Sequence, residues 1–197
     1  MPSAPGVAIS AAMDELVSLG HRRFAVIHLA SNAAGRARSE EVRRYLAAHG
    51  LSGANPHQML WSFSRGRECE GLVVKLLSGP EPPTALIIGG HQFLPGVLMG
   101  VRGAGKTAPA DVSLVAFGDS RWAEAVSPPI SVITSDQKQH ALQAVHMLLK
   151  LIDGDESAVR AVRTESTFIL RASCGPAPQE PSFSAAPNVF GRPRALE

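Results

Sequence analysis

Apolar residues along this chain fall into two spacings that follow one another in a regular order. In five segments they recur every three or four positions, as on one face of a helix: residues 7–20, 39–49, 67–77, 92–102 and 137–152. Between them lie six short stretches that predict strands: residues 23–29, 58–63, 84–88, 112–117, 131–134 and 163–170. The clearest of these stretches are apolar at nearly every position, which is typical of strands buried on both faces.

This order of elements predicts an α/β fold. Strands that alternate with helices of about ten residues build βαβ units, and such units form a mostly parallel, Rossmann-like sheet with helices on both faces. Ligands of such sheets bind beyond the carboxyl ends of the strands. The loops after residues 29, 63, 88 and 117 are therefore the places where a binding site is expected.

One glycine-rich stretch, GVRGAGKT at residues 100–107, fits the phosphate-binding pattern G-x-x-x-x-G-K-[ST]. A phosphate loop needs a strand before it and a helix after it, so that helix N–H groups face the anion. Here the stretch follows a predicted helix and precedes a predicted strand. We therefore interpret Gly103 and Gly105 as helix-ending residues, and a nucleotide hydrolase is the less favoured function.

Composition is consistent with one ordinary core, since 45% of the 197 residues are hydrophobic. Nineteen basic and 17 acidic residues give a net charge of +2, and the arginines of residues 35–44 are interleaved with glutamates. That interleaving favours a solvated helix face over a nucleic-acid footprint. From residue 175 onward, frequent prolines without apolar periodicity predict a disordered tail behind a domain at 1–174.

Signals for catalysis, metals and membranes are weak. Two distant cysteines, no secretory signal and no long apolar run favour a reduced, cytoplasmic protein with no membrane partner. The seven histidines and two cysteines lack metal-site spacing, and no nucleophile elbow occurs. The sequence thus predicts no metal, no cofactor and no enzymatic activity.

Several stretches, taken together and in order, resemble the LacI/GalR transcriptional regulators. They are LVSLGHRRFAVI at 16–27, PTALI at 83–87, PADVSLVAFGD at 109–119, PPISVI at 128–133 and LRAS at 170–173. Each stretch alone is moderately specific, whereas the ordered set covers residues 7 to 175.

The resemblance implies a core of the periplasmic-binding-protein-like (type I) fold that forms a homodimer. In that family a small effector, a sugar or related metabolite, binds in a cleft between two lobes and changes the affinity for operator DNA. The resemblance also implies that the helix-turn-helix domain and most of the first lobe would precede Met1, so that operator DNA is contacted only through a missing domain. A sugar-binding protein of the periplasmic type is the alternative.

Four candidate effector residues follow from the matched motifs. Arg38 matches the family's arginine near the start of a helix, although it could instead pair with Glu40 or Glu41 on the helix surface. His91 stands where the family often has Asn or Asp, and Ser135 where it often has Gln. Of the family's paired acids only the second, Asp119, is kept; the first is glycine. These departures disfavour a typical sugar hydroxyl network.

Three aromatic residues are further candidates. Trp61 and Phe63 end a predicted strand near the family's ligand-stacking aromatic, and Trp122 follows Asp119 in the next loop. Aromatic faces stack on sugar or base rings. Ordinary core or surface packing is the alternative for all three.

Overall fold

The computed structural model describes residues 4–28, 33–51, 60–61, 66–155 and 165–179. The elements, in chain order, are α1 Ala4–Ser18, β1 Phe24–Ile27, α2 Ala33–Ala48, β2 Leu60–Trp61, α3 Gly66–Leu77, β3 Ala85–Ile88, a 3-10 turn His91–Phe93, α4 Leu94–Gly103, β4 Ser113–Phe117, α5 Arg121–Ala125, β5 Ser131–Ser135, α6 Gln137–Ile152 and β6 Ser166–Ile169.

The strands form one six-stranded sheet in the order β2-β1-β3-β4-β5-β6. The first five are parallel, and β6 pairs antiparallel with β5 at one edge. Every residue of β1, β3 and β4 is buried, whereas β6 alternates between half-buried and exposed positions. The predicted α/β fold with a mostly parallel sheet is confirmed.

Two apolar clusters cover the two faces of the sheet. On one face α3 and α4 pack over alternate residues of β1, β3 and β4, among them Ala25, Leu86 and Leu114. On the other face α1 and α2 cover the intervening residues, such as Val26 and Val115. The period of two along a strand explains why neighbouring residues enter different clusters.

The structure at the end of α4 shows that the glycine-rich stretch at residues 100–107 is a helix end. Gly105 has φ +68°, its N–H donates to the Arg102 carbonyl and the Lys106 N–H donates to the Val101 carbonyl, which is the Schellman arrangement of a helix end. The backbone N–H and hydroxyl of Thr107 both donate to Asp111, at 2.8 and 2.9 Å. The groups that would hold a phosphate are thus bonded within the turn, and the phosphate-loop alternative is excluded.

Four details differ from the predicted elements or extend them. Helix α2 begins at residue 33 rather than 39, and the five-residue α5 was predicted as loop. Gly175 and Ala177 are hydrogen-bonded to the domain, through Ser113 and Leu19 respectively, although the sequence assigned both to the tail. Helix α6 has the predicted bounds, yet none of its side chains is buried. Residues from 180 onward lie outside the described part of the chain.

Among the residues that the structure describes, no helix has the length and apolar character needed to cross a membrane.

Candidate functional site at the carboxyl ends of the strands

Arg38 lies where the carboxyl ends of β3 and β4 meet helix α2. Its Nη1 donates a 2.8 Å hydrogen bond to the carbonyl of Gly89, the first residue after β3. Its guanidinium carbon stands 4.6 Å from the ring centroid of Phe117, the last residue of β4. Burial lowers the pKa of Arg38. Arg38 is therefore fixed at the carboxyl ends of the strands, where ligands of parallel sheets bind. These ends are called the carboxyl edge below, and the opposite ends the amino edge.

The ends of β1 and β3 approach each other so closely that only glycine fits at position 89. A Cβ on Gly89 would lie 2.8 Å from both the His28 Cβ and the Ile27 carbonyl oxygen. The Gly89 N–H donates to that same carbonyl, at 2.6 Å. The close contact fixes the backbone position of the residue whose carbonyl accepts from Arg38, so glycine at this position supports the geometry of the arginine.

His91 and Gly118 lie against each other across the ends of β3 and β4. Gly118 has φ +87°, a conformation that favours glycine, and a Cβ there would lie 3.0 Å from the His91 Nδ1. The His91 side chain is exposed. Two of the three positions at which the sequence departs from the family's acidic and amide residues, 91 and 118, therefore lie next to each other.

Asp119 is paired with Arg171, which follows β6. Both of its carboxylate oxygens accept from the guanidinium of Arg171, at 2.9 and 2.8 Å, in a forked contact. The same guanidinium donates to the carbonyl of Ile130, which directly precedes β5, and contacts Glu124 at 3.1 Å. Asp119, predicted to face the effector, instead ties the chain after β4 to the beginning of β5.

The remaining predicted residues are placed as follows. Ser135 ends β5, is half-buried and pairs with Ser166 of β6. Trp122 is 74% exposed on α5, so its indole lies largely in solvent. Trp61 ends β2 beside Ile27, at the same edge of the sheet, and its side chain is not described. Phe63 lies outside the described residues.

The opposite edge of the sheet holds a closed polar network around His21. This side chain is fully buried; its Nδ1 lies 2.9 Å from the Thr84 hydroxyl, and its Nε2 lies 2.9 Å from the Ser113 hydroxyl and 3.0 Å from the Gly175 carbonyl. Because a carbonyl only accepts, Nε2 carries the proton and Nδ1 accepts from Thr84. Burial is the main cause that lowers the pKa of His21. His21 is thus a structural residue that joins the turn after α1 to the amino ends of the strands.

The chemistry available at the carboxyl edge is binding. Arg38 offers a guanidinium with donors beyond the one given to Gly89, and His91 offers ring nitrogens. Within the described part of the chain no group of three or more metal-ligating side chains occurs. Burial raises the pKa of the Cys69 thiol to about 11, so this cysteine stays protonated and is a poor nucleophile near neutral pH.

Sequence reasoning did not find the groups that position Arg38. Gly89 and Phe117 lie 51 and 79 residues further along the chain, and nothing near Arg38 in sequence indicates either contact. The parallel strand order did carry a signal, since both residues fall at predicted carboxyl ends of strands.

Comparison with known proteins places this chain in a family. Residues 13–174 match the family described as the periplasmic binding protein-like domain. The ribose operon repressor of Haemophilus influenzae is 28% identical over 169 residues, which cover 82% of this chain and 49% of that protein. A LacI transcriptional regulator from a Rhodococcus species is similar in structure, with a TM-score of 0.74 and 28% identity over 90% of this chain and 65% of that one.

A LacI family regulator from Enterococcus faecium, solved with bound ribose, has a TM-score of 0.76 at 20% identity, with 88% of this chain and 64% of that chain covered. At this identity the likeness establishes the fold. The chain thus spans about half the length of the ribose operon repressor and about two thirds of the solved regulators.

Proposed function

Because the chain belongs to the family of periplasmic binding protein-like domains, and its relatives are LacI-family repressors, we propose that it senses a small effector for a transcriptional regulator. In this proposal the effector binds at the carboxyl edge of the sheet and changes the affinity of the regulator for operator DNA. DNA contact is made by a segment outside these 197 residues. The role is binding rather than catalysis, in the cytoplasm.

One observation supports this function above the others: Arg38 is held by two strand ends, and among the residues that the structure describes only one of its N–H donors has a hydrogen-bond partner. The Gly89 carbonyl accepts one N–H, and the guanidinium carbon lies over the Phe117 ring. An arginine positioned in this way binds an oxygen-rich ligand with little further loss of side-chain freedom.

Ligand binding to the 197-residue chain tests the proposal. We expect at least one compound from a panel of pentoses, hexoses and their acid and phosphate derivatives to raise the melting temperature. We expect that shift to disappear in Arg38→Gln. The matched control is Arg43→Gln on the same helix, because Arg43 is exposed and pairs with the exposed Glu40 at 2.8 Å. A shift that survives in Arg38→Gln, or no shift with any compound, contradicts the proposed site.

We further propose that helix α6 binds a second copy of this chain. The apolar side chains of α6 point away from the domain: Leu142, Val145, Leu149 and Ile152 are 55–71% exposed. The half-buried positions of this helix are instead His140, Gln143 and Met147. The four apolar residues follow the three-then-four spacing of a coiled-coil seam.

The area of this seam supports a weak dimer. Leu148 and Leu151 extend it. The free energy of burying such a side chain fully corresponds to roughly 60–120 Å² of apolar surface removed from water. Covering the exposed part of all six on two copies buries roughly 600 Å² of apolar surface, which lies in the range of weak interfaces. The dimer is therefore expected to dissociate on dilution.

Sedimentation over a range of concentrations tests this partner. We expect a reversible dimer that Leu149→Glu abolishes and that Gln139→Glu, an exposed polar position on the same helix, preserves. A monomer at every concentration contradicts dimerisation through α6. The occupant of its apolar face would then be another protein segment.

A further inference from the structure

The charges around Arg38 indicate the chemical class of the effector. The nearest acids on its own helix already have partners, since Glu40 pairs with Arg43 and Glu41 with Arg44. Asp119 is held by Arg171. Among the residues that the structure describes, no carboxylate lies within ion-pairing distance of Arg38, whose polar contact is the Gly89 carbonyl.

A partly buried cation without an acidic partner is costly in a folded domain. Burial removes water from the guanidinium, and burial is the cause that lowers the pKa of Arg38, with no carboxylate raising it. A negatively charged ligand group would offset that cost because it supplies the missing countercharge. A neutral hydroxyl supplies hydrogen bonds but no charge.

The orientation of the guanidinium suits a forked contact. The guanidinium carbon lies over the Phe117 ring, 4.6 Å from its centroid, and the N–H donors of a guanidinium all lie in its own plane, so hydrogen-bonding partners approach in that plane. One Nη1 donor is directed to Gly89, which leaves donors on the other nitrogens of the same plane. A carboxylate or phosphate accepts two parallel N–H bonds in that plane.

The neighbouring positions add no negative charge. Position 118 is glycine, and the ring of His91 lies against it, with Nδ1 at 3.0 Å from the place a Cβ would take. Two acids at the carboxyl ends of the strands, Asp136 and Glu165, flank the paired ends of β5 and β6. That pair of ends is two strands from β3, or roughly 10 Å, so these two carboxylates lie well away from the place where Arg38 contacts the end of β3.

We propose that the effector is a small metabolite bearing a carboxylate or phosphate, which Arg38 binds through its free N–H donors. This inference rests on the proposed effector-sensing function and narrows its ligand class from sugars in general to anionic metabolites.

Matched pairs of ligands test the charge directly. The probes are galactose with galacturonate, which differ by a carboxylate, and ribose with ribose 5-phosphate, which differ by a phosphate. Binding to the 197-residue chain is measured by calorimetry for the unchanged protein, Arg38→Gln, Arg38→Lys and the control Arg43→Gln. The melting temperature of each unliganded variant reports whether it is folded.

We expect the charged member of at least one pair to bind at least about tenfold more tightly than its neutral parent, and more weakly as salt is raised. The pair that shows this preference identifies carboxylate or phosphate as the group. Arg38→Gln should remove the preference, Arg38→Lys should keep part of it because the charge remains without the fork, and Arg43→Gln should keep all of it.

Two results would overturn the inference, and they differ in what they leave standing. If neutral and charged members bind equally and Arg38→Gln weakens both, the anionic class is wrong while effector sensing at Arg38 stands. If none of the four compounds binds to the folded protein, the inference fails, and the proposed function fails with it only when the wider panel of sugars, sugar acids and sugar phosphates also gives no shift in melting temperature.

Discussion

The two edges of the parallel sheet both carry basic side chains, but they differ in how completely those side chains are bonded. At the amino edge His21 is fully buried, and both ring nitrogens lie within 3.0 Å of a partner. At the carboxyl edge Arg38 is half-buried and gives one hydrogen bond to a carbonyl, while His91 is exposed. The chain thus places a closed network at one end of its strands and an open set of donors at the other.

This difference separates stability from binding within one sheet. A buried polar group that loses its partner costs the full desolvation free energy of the group left behind, so a closed network tolerates little change. Donors left open at a strand end contribute little to folding and are available to a ligand. Changes at the amino edge should therefore affect unfolding, and changes at the carboxyl edge should affect binding.

The largest expected effect comes from His21→Ala. This change removes the ring that joins Thr84, Ser113 and Gly175, and it leaves a cavity in a site with no exposed surface. We expect a loss of about 3 kcal/mol in the free energy of unfolding, measured by urea titration. The control His146→Ala, at an exposed position on α6, should change it by less than about 0.5 kcal/mol. Equal effects of the two changes would remove the contrast between the edges.

A smaller loss is expected from Arg171→Gln. The side chain of Arg171 is 13% exposed, and it joins Asp119 to the Ile130 carbonyl. Losing the fork and the carbonyl contact should reduce the free energy of unfolding by about 1–2 kcal/mol. Arg43→Gln breaks a comparable arginine–carboxylate pair in solvent, for which about 0.5 kcal/mol or less is expected. Identical losses would mean that burial does not distinguish the two pairs.

Local sequence signals explain most of the elements that were predicted. Helix α6 has the predicted bounds because Asp136 caps its first turn, accepting from the Gln139 N–H at 2.9 Å, and the apolar spacing continues to Ile152. Helix α5 was missed because five residues are too few for a periodic pattern; its start depends on the cap at Ser120. Spacing also could not predict that the apolar face of α6 turns away from the domain, since that depends on packing.

The candidate site was predictable only in part. Arg38 was found because it matches the family's arginine near the start of a helix, and the structure places it at the carboxyl ends of β3 and β4. The pairing of Asp119 could not be predicted, because its partner Arg171 lies 52 residues further along the chain, just after β6. Sequence identified residues of suitable chemistry, whereas long-range pairing decided which of them remained free to bind.

Acid should weaken the amino edge in a defined pH window. Because burial holds the folded-state pKa of His21 below its usual 6.5, the unfolded chain binds a proton first as the pH falls. The contribution of His21 is fully present above about pH 6.5 and is lost as the pH falls toward the lowered folded-state pKa. Urea titrations of the unchanged protein and His21→Gln from about pH 7.5 to pH 5 should therefore converge. Parallel curves would show that His21 does not contribute to the pH dependence.

The smallest effect on folding is expected from Arg38→Gln, which makes this change the most direct test of the contrast. The lost interactions are one hydrogen bond to Gly89 and the contact with Phe117, and the gain is release from the cost of desolvating a cation without an acidic partner. These contributions oppose each other, so the free energy of unfolding should change by less than about 1 kcal/mol. Urea titration checks this value beside His21→Ala. A loss as large as that of His21→Ala would mean that Arg38 supports the fold, and the contrast between the two ends of the strands would then not extend to Arg38.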